Sequence, residues 1–172
     1  EFNIEGKPIQ QFIDLVLEVK PAQVTLVPDA EDAITSNAGW DTVKHIDYLK
    51  EVIAEFNSNG IRTSIFIDPV KKMIEGAAKT GANRIELYTE SFAVDYAKGD
   101  QNAAKAYAES AELAHQLGLG VNAGHDLSLE NIRFFRENVP YLDEVSIGHA
   151  LISEALYEGL EKTIQQYLKL LK

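Results

Sequence analysis

Six short runs rich in apolar and β-branched residues alternate with amphipathic helical patterns along the whole chain, and this alternation constrains the fold more than any other property of the sequence. The runs lie at 2–4, 23–27, 62–67, 84–88, 120–122 and 144–147. Apolar residues at helical spacing fill 8–19, 42–57, 70–80, 101–117, 129–137 and 152–171. In the first of these, Ile9, Phe12, Ile13, Val16 and Val19 fall on one face; in the second, Val43, Ile46, Leu49, Ile53 and Phe56 do. Gly60, Gly81 and Gly118 each stop a helix just before the next strand. The strands read as nearly continuous apolar runs, as strands buried on both faces do, so the pattern predicts a parallel sheet covered by helices. No linker or low-complexity stretch divides the 172 residues, which predicts one domain over 1–172.

Strand starts recur every roughly 20–40 residues, the length of a βα unit. Six such units build either an open doubly wound sheet or most of an eight-unit barrel. Polar residues stand at or just beyond nearly every strand end: Glu5, Thr35, Asp68, Glu86 with Thr89, His125 and His149. A barrel spreads its site over all its strand ends, whereas a doubly wound sheet gathers it at one switch point. The spread predicts a TIM (β/α)8 barrel of which this chain supplies about six βα units, strands three to eight. The chain opens at Glu1 rather than Met and runs at once into a strand, so two leading units are expected in front of it.

Net charge is −11, which argues against nucleic acid or an anionic membrane surface as partner, since phosphate-backbone affinity needs a basic surface. Arginine occurs only at 62, 84, 133 and 136, so a phosphate ligand would lean on backbone N–H groups, helix N-termini or residues outside this chain. The absence of cysteine excludes disulfide and thiolate chemistry and fits a reducing compartment. No apolar run approaches the ~20 residues that span a bilayer.

Two segments near the end repeat one arrangement. Val121-Asn122-Ala123-Gly124-His125 and Val145-Ser146-Ile147-Gly148-His149 are apolar runs ending in Gly-His ahead of a helix. Such ends put bare amides and an imidazole on the rim where α/β proteins bind ligands. His125 can take or give a proton near neutral pH, or simply bond a loop. Gly148-His149 opens the last helix, where free amides favour a phosphate. If Ile85 and Leu87 face the helices, Glu86 points inward, where a carboxylate is costly unless paired or used. A structural acid and a catalytic one fit it equally, and the same holds for Glu5 beside Gly6. The loop 35–41 can wrap a ligand, but an Asp41-capped helix entry explains it at least as well. His45 and His115 fall within helical patterns and read as surface residues.

Asn3-Ile4-Glu5, Val24-Thr25-Leu26-Val27-Pro28, Ile34-Thr35-Ser36 with Gly39, Ile85-Glu86-Leu87-Tyr88-Thr89, Val121-Asn122-Ala123-Gly124-His125 and Ile147-Gly148-His149-Ala150 together resemble the pyridoxine 5′-phosphate synthase family. They follow the family's order over essentially the whole chain, and the Asn-Ala-Gly-His and Ile-Gly-His-Ala ends are the most specific. The resemblance implies a barrel enzyme that condenses 3-amino-2-oxopropyl phosphate with 1-deoxy-D-xylulose 5-phosphate to pyridoxine 5′-phosphate, phosphate and water. It implies a general base at Glu5, a transition-state-stabilising carboxylate at Glu86 and a proton donor at His125. Thr35 and the backbone at Asp126 would contact substrate, and Gly148 with His149 would hold a phosphate.

The resemblance further implies no metal and no cofactor, a cytoplasmic setting and a homo-oligomer, an octamer in the family. The family's first two units carry an asparagine, another histidine and phosphate-binding arginines that match nothing here, so the chain alone is expected to lack part of its site. Two rival readings remain at this point. Glu86, His125, Asp126 and His149 could form the metal site of a sugar-phosphate isomerase or epimerase. Alternatively, the chain could be an inactive barrel fragment serving assembly alone.

Overall fold

The computed structural model describes residues 1–29 and 37–172. Six strands are present among them: β1 (Asn3–Gly6), β2 (Gln23–Leu26), β3 (Arg62–Ile67), β4 (Arg84–Tyr88), β5 (Gly120–His125) and β6 (Leu142–Ile147). The helices are α1 (Gln10–Val19), α2 (Ile46–Ser58), α3 (Lys71–Ala78), α4 (Glu90–Ala97), α5 (Lys105–Gln116), α6 (Ile132–Asn138), α7 (His149–Glu158) and α8 (Leu160–Leu170). All the strands are parallel and sit in chain order, β1-β2-β3-β4-β5-β6. The order never reverses, so the sheet has no switch point, and the expected barrel-type winding is what the chain adopts.

The outer face of the sheet carries the main core. Val24, Leu26, Ile65, Ile67, Ile85, Leu87, Val121 and Ala123 pack against Val16, Leu49, Ile53, Phe56, Ile74, Phe92 and Phe135 from the helices. Each of the larger of these side chains contributes about 1.5–3 kcal/mol on burial. The inner face is different in kind. Thr25, Ser64, Glu86 and Asn122 are buried there, with a small apolar cluster of Val27, Phe66 and Tyr88 nearer the strand ends.

One carboxylate shows how strongly the sheet curls. Glu144 on β6 accepts from Gln23 Nε2 at 3.2 Å and Asn122 Nδ2 at 3.1 Å, and it pairs with Arg62 Nη2 and Arg84 Nη1, each at 3.0 Å. Arg62 Nε also donates to Gln23 Oε1 at 2.8 Å, and its guanidinium pairs with Glu1. In a flat sheet β2 and β6, four strand spacings apart, would lie roughly 19 Å from each other. Side chains of Gln and Glu cannot bridge that gap, so their bond requires the sheet to close toward itself as a half-barrel.

One helical expectation needs correction, and one helix lies where the sequence pattern indicates none. The pattern at 152–171 predicted one closing helix, but Gly159, at φ +85°, breaks it into α7 and α8. This left-handed backbone suits glycine and ends a helix. Helix α4 went unseen because its apolar residues Phe92, Val94 and Tyr96 are spaced two apart, a strand-like period, and only Phe92 is buried. Strand β5 also runs on to His125, past the expected end at 122. Asp41 behaves as the capping alternative predicts: its Oδ1 accepts from the N–H groups of Val43 and Lys44 at 3.2 and 2.9 Å, in the turn leading to α2.

The Glu144 network yields a stability prediction. Glu144→Ala leaves Arg62 and Arg84 facing each other without their shared counter-ion, and is expected to cost about 1–3 kcal/mol, the partial solvent exposure of the groups keeping it below a fully buried pair. Urea unfolding reads this directly, and an unchanged midpoint would remove the network as a stabilising element.

Candidate active site

Glu86 sits in the middle of β4, and its neighbours Ile85 and Leu87 lie in the helix-facing core, so its side chain points into the curl. Its exposure is 1%. Thr25 Oγ1 donates to Glu86 Oε2 at 3.3 Å, reaching from β2 across β3, and the Ser146 hydroxyl bonds it from β6. The carboxyl lies directly over Gly124. A Cβ at that position would fall 2.4 Å from Glu86 Oε1 and 2.9 Å from the Ser146 carbonyl oxygen, so only glycine leaves room for this acid. Burial pushes the Glu86 carboxyl up to about 8, the charge of Glu5 adds to the rise, and the hydroxyls of Thr25 and Ser146 oppose it. At neutral pH the buried acid therefore carries its proton.

Glu5 stands one residue before the end of β1, beside Thr25, its register partner on β2. It is reached by solvent, yet the surrounding protein still raises its carboxyl above the usual range; Asp29 adds to the rise, and His125 opposes it. Glu5 thus feels both Glu86 and His125, and the three residues singled out for acid–base work converge on one mouth at the strand ends.

His125 is the last residue of β5. Its ring meets the edge of Tyr88 at 5.0 Å between centroids, and its Nδ1 lies 2.6 Å from Asp126 Oδ2. The adjoining strand ends are stitched together by Thr89, whose Oγ1 donates to the Gly124 carbonyl at 2.7 Å and accepts from Asp126 N–H at 3.4 Å. Gly148 and His149 stand exposed at the start of α7, immediately after Ile147, the register partner of His125. Thr35 lies outside the described residues. Asp68, another polar strand end, accepts from Gly39 N–H at 3.1 Å and so anchors a loop. Beside the mouth opens a cleft of about 620 Å³, lined among the described residues by Lys7, Asp29, Asn37, Gly39, Trp40 and Tyr48.

Sequence reasoning did not single out Thr25, Ser146 or Asp29 as parts of this site, and it offered the Asp126 carboxylate only as a ligand of the rival metal site. The available signal was a lone hydroxyl residue between apolar neighbours, in Val24-Thr25-Leu26 and in Val145-Ser146-Ile147, which marks the inward position of a strand. Among the described residues no group of three or more His, Cys, Asp or Glu side chains gathers as a metal site would require, so Glu86, His125, Asp126 and His149 do not form the set that the isomerase reading needs. No helix among them is long and apolar enough to cross a membrane.

Solved structures share the fold at low identity. The chain superposes on the citrate synthase SbnG with a TM-score of 0.59 at 15% identity, covering 98% of this chain and 72% of that one. A xylose isomerase domain protein from Planctomyces limnophilus gives a TM-score of 0.59 at 13% identity, covering 99% and 71%. Closer relatives are found by sequence. The pyridoxine 5′-phosphate synthase of Christiangramia forsetii is 85% identical over 172 residues, that of Flavobacterium johnsoniae 68% and that of Cytophaga hutchinsonii 60%. Each match takes in the whole of this chain, which spans 73%, 73% and 72% of the respective relatives. The family model described as pyridoxal phosphate biosynthesis protein PdxJ matches residues 1–172. With its strand-end acids and imidazole on a curled parallel sheet, the chain belongs to this pyridoxine 5′-phosphate synthase family.

Proposed function

We propose that this chain works in the condensation of 3-amino-2-oxopropyl phosphate with 1-deoxy-D-xylulose 5-phosphate, which yields pyridoxine 5′-phosphate, phosphate and water. The observation that carries the reading is the meeting of three proton-exchanging groups in unlike surroundings at one mouth: solvent-reached Glu5, buried Glu86 and His125 at a strand end. Ring closure between an amine and a ketone needs a base that takes protons from carbon and an acid that lets hydroxyl leave as water. Glu5, in contact with solvent, is the base of this scheme. His125 is the donor to the departing oxygen.

Glu86 has a third role. It enters the reaction neutral, as burial dictates. As the amine nitrogen gains positive charge on condensing with the carbonyl, and the hydroxyl leaves on the proton of His125, the new cation favours loss of the Glu86 proton to solvent at the mouth and leaves a carboxylate beside it. In a buried setting such an anion stabilises the charge far more than it would in water. Thr35 and the Asp126 backbone are the proposed substrate contacts. Gly148 and His149, with the free N–H groups that open α7, are the proposed phosphate cradle. The proposed setting is the cytoplasm and the proposed assembly a homo-oligomer, an octamer, which sedimentation of the protein would read.

Two outcomes test this reading. In protein carrying the whole of this chain, Glu5→Gln and His125→Gln are each expected to lower kcat for pyridoxine 5′-phosphate formation by about 10²–10⁴-fold; near-normal turnover in either variant would sink its assigned role. The second outcome concerns pH. The Glu86 carboxyl titrates higher in the folded chain than in the unfolded one, so the folded state binds the extra proton and the wild type loses stability as pH rises from about 4.5 to 8. Glu86→Gln removes this dependence. The variant should therefore gain in thermal midpoint relative to wild type between pH 5 and pH 8, and parallel melting curves across that range would contradict a buried neutral acid.

A further inference from the structure

Asp126 enters the proposed reaction only through its backbone, yet its side chain makes a short polar contact at the mouth. Its Oδ2 lies 2.6 Å from His125 Nδ1, within the range of a charge-assisted hydrogen bond. Adjacent residues in a strand normally send their side chains to opposite faces. Here they meet because His125 has a φ of +101°, a conformation that a residue with a Cβ rarely adopts. Such backbone costs about 1–3 kcal/mol and persists only where its surroundings enforce it. Those surroundings are on hand. Thr89 Oγ1 bonds both the Gly124 carbonyl and the Asp126 N–H, and Asn131 Nδ2 donates to the Asp126 carbonyl at 3.1 Å. The backbone is thus clamped on both sides of the histidine, and the edge-on Tyr88 ring supports the imidazole. Tyr88 is itself tied through its hydroxyl to Glu90 at 2.6 Å.

We propose that the Asp126 carboxylate is the positioning residue of His125: it holds the proton on Nδ1 and so makes Nε2 the nitrogen that exchanges protons with substrate. A carboxylate only accepts, so in neutral His125 the Nδ1 facing it carries the hydrogen and Nε2 presents its lone pair. When Nε2 is protonated, both nitrogens donate, and the proton on Nε2 is the one given to substrate because the other is held by Asp126. The loop strain then has a purpose, since it turns the imidazole onto its own neighbour and removes the choice between nitrogens. The catalytic consequence rests on the proposed function of the site, but the tautomer itself does not.

The test separates the two. In ¹⁵N-labelled protein carrying the whole of this chain, the imidazole signals of His125 are identified by their loss in His125→Gln. Neutral His125 is expected as the Nδ1–H tautomer in the wild type, to pass toward Nε2–H in Asp126→Ala, and to stay Nδ1–H in Asp126→Asn, whose amide oxygen can still accept. A wild-type Nε2–H tautomer, or one indifferent to Asp126→Ala, overturns the proposal. The Asp126 side chain is 39% exposed, so its removal opens no core. In the condensation assay Asp126→Ala should lower kcat by about 10–100-fold, with KM within about two-fold of wild type, and Asp126→Asn should recover part of the loss. A raised KM at unchanged kcat would make Asp126 a substrate contact instead and overturn the positioning role. A wild type that forms no pyridoxine 5′-phosphate would defeat the proposed reaction while leaving the tautomer result to decide the part played by Asp126.

Discussion

Everything at the mouth depends on the sheet being bent far enough for its flanks to face each other, and the clearest agent of that bend is Glu144. One carboxylate on β6 engages side chains from β2, β3, β4 and β5, so a single anion gathers most of the sheet around itself. At the lower end of the strands two guanidiniums are drawn to this one acid, and Glu1 pairs with Arg62 as well. Further up, the curl brings Thr25 and Ser146 within reach of Glu86 from strands that do not neighbour β4. Without curvature these hydroxyls would hang over other residues and Glu86 would have no partners.

The interior therefore has a vertical order. At the strand starts, charges are paired and balanced. In the middle, a neutral acid is held by hydroxyls, and toward the exit Val27, Phe66 and Tyr88 form an apolar wall. At the rim stand Glu5, His125 and Asp126, in partial contact with water. This gradation gives two glutamates of identical chemistry unlike surroundings. One is reached by solvent; the other is not, and its charged form is suppressed both by burial and by its neighbour.

Much of this could be read from the residues in order. Continuous apolar strands, glycine-ended helices and polar strand ends implied the parallel, serially wound sheet, and the inward aim of Glu86 followed from the alternation of Ile85 and Leu87. The curl's fastening did not emerge, because Arg62, Arg84 and Glu144 sit at strand starts far apart in sequence and nothing local marks them as partners. The scarcity of arginine drew attention to phosphate, whereas two of the four arginines serve the barrel interior. Helix α4 escaped because its apolar spacing mimics a strand. The link from Asp126 to His125 escaped because it depends on a left-handed backbone at a histidine, which composition and periodicity do not encode.

The space under Glu86 is set by a residue with no side chain. Gly124 offers the carboxyl a flat stretch of backbone, while its carbonyl is occupied by two donors from Thr89. The seat can neither rise nor tilt to meet a larger neighbour. Any added carbon would press on the acid itself, 2.4 Å away. Gly124 therefore acts as the floor of the site: by how little it occupies, it lets Glu86 stay buried, and burial is what favours the neutral form of this acid.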